Sequence, residues 1–343
     1  MNSQPRSNAG LLDADMVAGR RRAPDGALLP VRVARVTQEA DAVISLEVAR
    51  VDGAKLPPWL PGSHIDVVLP SGKLRRYSLC GDPDNFSSYR IAVLREADGR
   101  GGSAELHAVA QVGERLHIGA PRNKFPFFDA DDYLFIAGGI GITPLLPMAV
   151  AAERRGRPWR FVYGGRTRGG MAFVDELAGL RGGALEVVAR DEAGHPDIDT
   201  PLCALTPETL IYACGPAAML AAVEEAARRH GVADRLHVER FAAPVADPSA
   251  APPVNRAFEV VLARGGRTLH VPADVSLGSV LRAAHADVSF SCEEGYCGTC
   301  ETRVIAGDPD HRDSVLSAAD KARNDCMMVC VGRARSARLV IDA

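Results

Sequence analysis

Four cysteines near the C-terminal end of the sequence have a spacing that points to metal chemistry. They follow the pattern C-x4-C-x2-C with a more distant fourth member: Cys292, Cys297, Cys300 and Cys330. This is the ligand spacing of a plant-type 2Fe–2S cluster, in which four thiolates surround two irons. Gly295 and Gly298 permit positive φ angles in the loop, which brings backbone N–H groups toward the sulfurs. The spacing therefore predicts a 2Fe–2S site.

A disulfide and a zinc site are the alternatives for the same cysteines. Zinc sites prefer paired C-x2-C knuckles, and Cys297 and Cys300 form the only such knuckle in the sequence. Cys326 lies close before Cys330 and could compete as the fourth ligand. We interpret Cys326 as a buried thiol instead.

Two short motifs in the N-terminal half suit a flavin. Arg75, Tyr77 and Ser78 form R-x-Y-S on a predicted strand. The arginine can pair with a phosphate, the ring can lie against a flat ring, and the hydroxyl can bond its polar edge. The segment 99–103, GRGGS, is a glycine-rich turn that opens a helix and presents N–H groups to a phosphate. Taken alone, the first motif also fits a strand with solvent-exposed arginines, and the second also fits a flexible loop. Together the two motifs predict flavin binding.

Two further motifs suit a dinucleotide. The segment 138–144, GGIGITP, follows an apolar strand and opens a helix. It resembles the dinucleotide fingerprint but ends in proline where that fingerprint has glycine. The alternative is a tight turn between a strand and a helix. Cys214-Gly215-Pro216 ends a later strand, where ligands of open α/β sheets bind.

Composition excludes several classes of protein. The chain has 343 residues, 47% hydrophobic and 24% charged, which is typical of a globular protein of two or three domains. The formal net charge of −3 implies no bulk attraction to nucleic acid or a membrane, and no apolar run is long enough to span one. Thiolate ligands must stay reduced, so we expect a cytoplasmic protein.

The elements that would position these motifs fall into three blocks. Alternating segments separated by turns predict a β-barrel over 28–128: 31–36, 44–48, 64–69 and 89–94. Strands alternate with helices over 129–243, which predicts a parallel, doubly wound sheet. One helix is expected to begin at Ser103, and another to contain Pro144 in its first turn. Further helices are expected at 174–180 and at 219–230.

The ends of the chain and the last junction are of a different kind. Segment 1–27 has three consecutive arginines with no apolar stretch after them, which predicts a disordered tail and not a signal peptide. Segment 244–256 is rich in proline and alanine and predicts a linker. Segment 257–343 is β-rich around the cysteines, with one helix that Ser276 is expected to cap.

The ordered set of motifs resembles the phthalate dioxygenase reductase family, which includes vanillate demethylase and phenoxybenzoate dioxygenase reductases. The set comprises R-x-Y-S at 75–78, GRGGS at 99–103, PRNKF at 121–125, GGIGITP at 138–144, CGP at 214–216 and the four cysteines. The resemblance covers the chain from about Leu28 to Ala343. It implies a multidomain protein: an antiparallel FMN-binding β-barrel, a ferredoxin-reductase-like α/β NAD domain, and a C-terminal α+β plant-type ferredoxin of the β-grasp type.

The resemblance also implies site residues, position by position. Those implied for FMN lie on the barrel motifs and at its border: Arg75, Tyr77, Ser78, Val93, Gly102, Ser103, Thr143 and Phe241. Those implied for the nicotinamide cofactor lie on the α/β motifs: Gly139, Gly141, Thr143, Arg166, Cys214, Gly215 and Pro216. FMN in place of FAD follows from the family and the phosphate turn. We expect NADH and not NADPH, but Arg166 and Arg168 could bind a 2′-phosphate and so leave NADPH as the alternative.

These three cofactors together predict a converter of electron pairs into single electrons. NADH gives two electrons as hydride, a flavin can accept the pair and release single electrons, and the cluster takes one at a time. The expected protein is the NADH-dependent reductase component of a Rieske-type aromatic-ring or demethylating oxygenase, which is its protein partner. The alternatives are a free-standing diaphorase or flavin reductase, and a redox carrier or sensor that does not use NADH.

Overall fold

The structure is a computed structural model that describes residues 28–96, 101–242 and 254–343. The chain forms two compact units, Met1–Glu239 and Arg240–Ala343. The predicted tail at 1–27 and most of the predicted linker at 244–256 lie outside the described residues. Within the described residues, no helix is long and apolar enough to cross a membrane.

An antiparallel sheet of seven strands forms the first half of the first unit. Its strands are β1 (Leu29–Ala40), β2 (Val43–Arg50), β3 (Ser63–Val68), β4 (Leu74–Ser78), β5 (Tyr89–Leu94), β6 (Arg115–Ile118) and β7 (Arg122–Asn123). They lie in the order β4-β3-β6-β1-β2-β5, with β7 beside β3. Leu79, directly after β4, bridges to Ile91 of β5, so the two ends of this order also meet.

Alternation along these strands decides which face each side chain takes. In β3, Ile65 and Val67 are buried in the apolar core of the sheet. His64 and Asp66 alternate with them and therefore lie on the opposite face, where both are also buried. Ser78 of β4 stands opposite His64 in the ladder, so it shares that second face. The second face is consequently polar, although His64, Asp66 and Ser78 on it are buried.

A five-stranded sheet forms the second half of the first unit. Its strands are β8 (Asp132–Gly138), β9 (Trp159–Gly165), β10 (Gly183–Ala189), β11 (Thr209–Gly215) and β12 (Leu236–Arg240). They lie in the order β10-β9-β8-β11-β12, and the pairs from β10 to β11 are parallel. Residues 133–138 of β8 are all buried, as expected of a central strand covered on both faces.

Six helices in the described part of the first unit connect these strands. They are α1 (Gly102–Val109), α2 (Ile142–Arg154), α3 (Val174–Ala178), α4 (Arg190–Ala193), α5 (Asp199–Cys203) and α6 (Ala217–Arg229). Three of the predicted starts were one or two residues late. Helix α1 begins at Gly102 because Gly101, at φ 79°, supplies the left-handed residue before it. Helix α2 begins at Ile142, so that Pro144 occupies its first turn.

The second unit is a smaller sheet with two helices. Its strands are β13 (Phe258–Leu262), β14 (Arg267–Val271), β15 (Glu301–Ala306), β16 (Pro309–Asp310), β17 (Cys326–Met328), β18 (Arg333–Ala334) and β19 (Arg338–Ile341). Five of them lie in the order β14-β13-β19-β15-β17, and β16 pairs with β18.

The two helices of the second unit are α7 (Leu277–Ala283) and α8 (Ala318–Arg323). Ser276 caps α7 as predicted, because its hydroxyl accepts the Ser279 N–H at 3.1 Å. Leu277 and Leu281 of α7 pack into an apolar core that also includes Cys300 and Cys330.

Candidate functional site

Two positively charged side chains lie near the start of α1, one from β4 and one from the turn before β4. A Cβ at Gly102 would lie 2.2 Å from Arg75 Nε, so the guanidinium rests directly on the helix backbone. Lys73 Nζ would lie 3.9 Å from a Cβ at Gly101. Positive side chains beside the N-terminal end of a helix form a suitable setting for a phosphate. The structure therefore brings the R-x-Y-S motif to residues 101–103 of the glycine-rich motif, whose residues 99 and 100 lie outside the described residues.

Three other residues expected near the flavin, Tyr77, Val93 and Ser103, lie in the same sheet or in α1 itself. The Tyr77 ring packs against the apolar core of the sheet, and burial raises the pKa of its hydroxyl. Val93 of β5 is buried, and its carbonyl accepts a hydrogen bond from His107 Nε2 at 2.9 Å. Ser103 Oγ accepts the Glu96 N–H at 3.1 Å. The backbone of Val93 is thus already engaged by α1, which ties that helix to β5.

The glycine-rich turn after β8 packs against the end of β11. A Cβ at Gly141 would lie 2.1 Å from the Cys214 carbonyl oxygen and 2.7 Å from the Gly215 nitrogen. A Cβ at Gly138 would lie 2.6 Å from Pro216 Cδ. Only glycines permit this approach. Gly139 at φ 53° faces open space, as an approach to a pyrophosphate would need.

This packing lies where the order of the strands changes direction. From β8 the chain passes to β9 on one side, and β11 lies on the other. Such a point, at the carboxyl ends of parallel strands, is where open α/β sheets bind ligands. Thr143, at the start of α2, is buried and its Oγ1 donates to the Ile140 carbonyl at 2.9 Å. The strand β5 of the first sheet also contacts the Gly139–Gly141 turn.

Two predicted residues directly follow strands of the second sheet. Arg166 follows β9 and is exposed, and its carbonyl accepts the Asp191 N–H at 3.2 Å. Phe241 follows β12 and is half-buried. Their roles at a bound cofactor stay predictions.

Glu239 of β12 interacts with residues of both motif groups, although it belongs to none of the sequence motifs. Its carboxyl group hydrogen-bonds with Ser78 and faces Arg76 and Cys214. The Oε2 atom is inaccessible to solvent and has no hydrogen-bond partner. Burial raises the pKa of Glu239 to about 8, although Arg76 and the Ser78 hydrogen bond lower it. Burial, with Glu239 nearby, also raises the pKa of the Cys214 thiol well above its usual value.

No local pattern could have identified this glutamate. Glu239 lies in a strand whose residues are all partly buried, so alternation does not distinguish it. Its partner Ser78 lies in the other sheet of the same unit, and sequence spacing does not report such a contact.

The cysteine-rich loop of the second unit, residues 291–300, is termed here the cluster loop. All four predicted ligand cysteines are buried, with exposed fractions of 3% to 7%. The Glu294 N–H donates to Cys292 Sγ at 3.4 Å, and Thr299 Oγ1 lies 3.3 Å from Cys297 Sγ. The N–H bond to Cys292, which the sulfur accepts, is of the kind that stabilises a thiolate.

Cys330 joins the cluster loop from the far side. Its thiol forms hydrogen bonds with Cys292 and Cys300, and the Gly295 N–H donates to its sulfur. Gly295 has φ 72°, and a Cβ there would lie 2.6 Å from Val331 Cγ2. The loop therefore needs glycine at this position, as the spacing argument expected.

The four cysteines are an acceptable ligand set for a 2Fe–2S cluster. Cys330 forms hydrogen bonds with Cys292 and Cys300, and Cys297 lies between those two in the same loop. A 2Fe–2S cluster takes four thiolates over two irons. Cys326, the competing ligand, is half-buried and not buried as expected, and it lies in β17 opposite Arg303 of β15.

Comparisons with known proteins agree with this chemistry. Residues 260–335 match the 2Fe–2S iron–sulfur cluster binding domain family. The phenoxybenzoate dioxygenase subunit beta of Ectopseudomonas oleovorans is 41% identical over 91% of this chain and 96% of its own length. The vanillate O-demethylase oxidoreductase of Pseudomonas sp. (strain HR199 / DSM 7063) is 41% identical over 92% of this chain and 100% of its own.

A solved structure covers both units. It is described as phthalate dioxygenase reductase, a modular structure for electron transfer from pyridine nucleotides to [2Fe-2S]. It is 36% identical, has a TM-score of 0.67, and the match covers 92% of this chain and 98% of that one. With relatives at this identity over nearly their whole length, the chain belongs to the phthalate dioxygenase reductase family.

Proposed function

We propose that the protein is the reductase component of an oxygenase system, which takes electrons from NADH through FMN to a 2Fe–2S cluster. The observation that supports this most is the junction at Glu239. This residue connects Ser78 of the flavin motif with Cys214 of the nucleotide motif. A residue that interacts with both motifs indicates that they lie side by side, and hydride transfer needs its two reacting rings in contact.

The domains follow the motifs. Residues 28–128 form the FMN-binding β-barrel, 129–243 the NAD-binding α/β domain, 244–256 a linker and 257–343 a β-grasp ferredoxin domain. The bridge between Leu79 and Ile91 supports a closed barrel. The parallel pairing of β13 with β19, flanked by antiparallel strands, supports the β-grasp interpretation.

FMN is held by residues from the barrel and its border. Arg75, Gly102 and Ser103 take the phosphate, because the guanidinium already rests on the first turn of α1. Tyr77 and Ser78 contact the ring system. Val93 and Thr143 line it, and Phe241 flanks it. A single phosphate suits this cradle.

The nicotinamide cofactor is held at the carboxyl ends of β8 and β11. Gly139 and Gly141 let the backbone approach the pyrophosphate. Cys214, Gly215 and Pro216 border the nicotinamide. We assign to Arg166, which is exposed after β9, contact with the ribose or phosphates. Thr143 belongs to both sites, because α2 begins between them.

The chain's own residues orient the cofactors and control protons and water. A bound flavin supplies the exchange of a hydride for single electrons, and a bound cluster accepts electrons singly. Glu239 keeps its carboxyl proton at neutral pH, because its pKa of about 8 lies above 7. It can therefore donate a hydrogen bond inside the site without bringing a buried charge there. Cys214, with its raised pKa, stays a neutral thiol.

In the second unit, Cys292, Cys297, Cys300 and Cys330 ligate the cluster. The N–H groups of Glu294 and Gly295, which donate to sulfur, stabilise the thiolates. The protein partner is a terminal oxygenase of the Rieske type, which selects the aromatic or methylated substrate. Reduced thiolates are the reason that we place the protein in the cytoplasm.

Two experiments test this function. Denatured protein should release FMN, and release of FAD would overturn the assignment. The NADH-reduced protein should rapidly reduce a co-purified oxygenase. A protein that reduces free flavin or dyes quickly but not the oxygenase would instead be a diaphorase. A protein whose flavin absorbance does not change with NADH would be a carrier or sensor.

A further inference from the structure

A short segment of the second unit, His311–Leu316, lies against the cluster loop. The Ser314 N–H donates to the Gly295 carbonyl at 2.9 Å, and Ser314 Oγ donates to the same oxygen at 3.4 Å. The N–H of Gly295 in turn donates to the Cys330 sulfur. Ser314 is therefore separated from a predicted iron ligand by a single residue, Gly295.

Asp313 organises this segment. Its Oδ1 accepts the N–H groups of Val315 at 3.0 Å and Leu316 at 2.8 Å. Its backbone carbonyl accepts a hydrogen bond from Lys321 Nζ at 2.6 Å, which fastens the segment to α8. The Asp313 side chain is 1% exposed. These bonds fix the turn that presents Ser314 to Gly295.

The backbone of Asp313 also forms a wall of the cluster loop. A Cβ on Gly295 would lie 3.2 Å from Asp313 Cα. Gly295 is thus held on one side by this wall and on another by its bond to Ser314. The turn at Asp313 therefore contributes directly to the position of Gly295.

One oxygen of this carboxylate is not used by the turn. Asp313 Oδ2 is buried and has no hydrogen-bond partner, and it lies 3.9 Å from His311 Nδ1, which also has none. His311 Nε2 is bonded with Asn324 Oδ1 at 3.0 Å. Asparagine would serve the turn equally well, with an amide facing His311.

We propose that Asp313 is a positioning residue of the 2Fe–2S site. By holding Ser314 against Gly295, it fixes the loop conformation that directs the Gly295 N–H at Cys330. Hydrogen bonds to sulfur and nearby charge set the reduction potential of such clusters. Asp313 therefore tunes that potential from outside the ligand set. The inference rests on the proposed function, specifically on the presence of the cluster.

The test compares variants of the full-length protein with flavin and cluster bound. The readouts are the EPR g-values of the dithionite-reduced cluster and its midpoint potential. Asp313→Ala should change the g-values and shift the potential. Asp313→Asn, which keeps the shape and the acceptor oxygen, should retain the wild-type g-values. Ser336→Ala is the matched control, because it removes a hydroxyl that joins Asp308 to Arg338 in the same unit. It should match wild type in both readouts.

The inference is overturned if Asp313→Ala binds a full cluster with wild-type g-values and potential. Should that variant fail to fold, Lys321→Met replaces it, since it removes only the ammonium group on the Asp313 carbonyl. Lys321→Met should shift both readouts in the same direction by less, and wild-type values would also overturn the inference. A wild-type protein that shows no cluster signal after reconstitution would contradict the proposed function itself.

Discussion

Replacing Glu239 with glutamine should stabilise the first unit, and the gain should grow as the pH rises. Glu239 is half-buried, but its Oε2 atom is inaccessible to solvent. Burial raises the pKa of its carboxyl group from 4.5 to about 8. The folded state therefore binds the proton more tightly than the unfolded state does. The stability that Glu239 provides is complete below pH 4.5 and is lost as the pH rises toward about 8.

The size of the effect follows from the width of this interval. One pKa unit corresponds to roughly 1.4 kcal/mol. Between pH 4.5 and about 8, the free energy of unfolding of wild type should therefore fall by about 5 kcal/mol relative to a variant that does not titrate at this position. The free energy of unfolding of Glu239→Gln minus that of wild type should rise by about 1.4 kcal/mol per pH unit across this range. Above about pH 8 the difference should level off.

Tryptophan fluorescence can follow the unfolding of the first unit alone. The sequence has two tryptophans, and both, Trp59 and Trp159, are buried in that unit. Urea unfolding of wild type and Glu239→Gln at pH 5.5, 7 and 9 gives the difference directly. Glu192→Gln, at an exposed position on α4, is the control. A difference that is the same at pH 5.5 and pH 9 would refute the reasoning.

Three further substitutions test the cofactor sites. Gly141→Ala places a Cβ 2.1 Å from the Cys214 carbonyl oxygen. Reduction of the flavin by NADH, followed by stopped-flow absorbance, should slow by about tenfold or more, which raises the activation free energy by about 1.4 kcal/mol. Dithionite should still reduce the flavin. Gly102→Ala places a Cβ against a guanidinium that can move aside, so the fold should persist while FMN binds about tenfold more weakly by fluorescence titration. Cys330→Ser should lose most iron and sulfide, whereas Cys326→Ser should retain both by chemical analysis; equal loss in the two would contradict the ligand assignment.

The sequence predicted those features that depend on local pattern. Alternation identified the strands around Ile65 and Val67, and the cap at Ser276 was identified from its residue type. The cysteine spacing predicted a site that the structure forms from three buried cysteines of one loop and Cys330. These features depend on residues that are close in the chain or on ligand chemistry with a fixed spacing.

The features that the sequence did not predict are contacts between distant segments. Glu239 meets Ser78 only because β12 of one sheet lies near β4 of the other. Asp313 meets Gly295 because the turn before α8 folds back over the cluster loop. Neither residue has a spacing or a composition that marks it. Burial of an acid becomes visible only when the packing around it is known.

An anaerobic titration with NADH tests the central claim most directly. The account predicts that NADH bleaches the flavin absorbance and that the EPR signal of a reduced 2Fe–2S cluster develops in the same sample. If NADH bleaches the flavin while the cluster, shown to be present by its reduction with dithionite, stays oxidised, the chain does not pass electrons from nucleotide to cluster and the account is wrong.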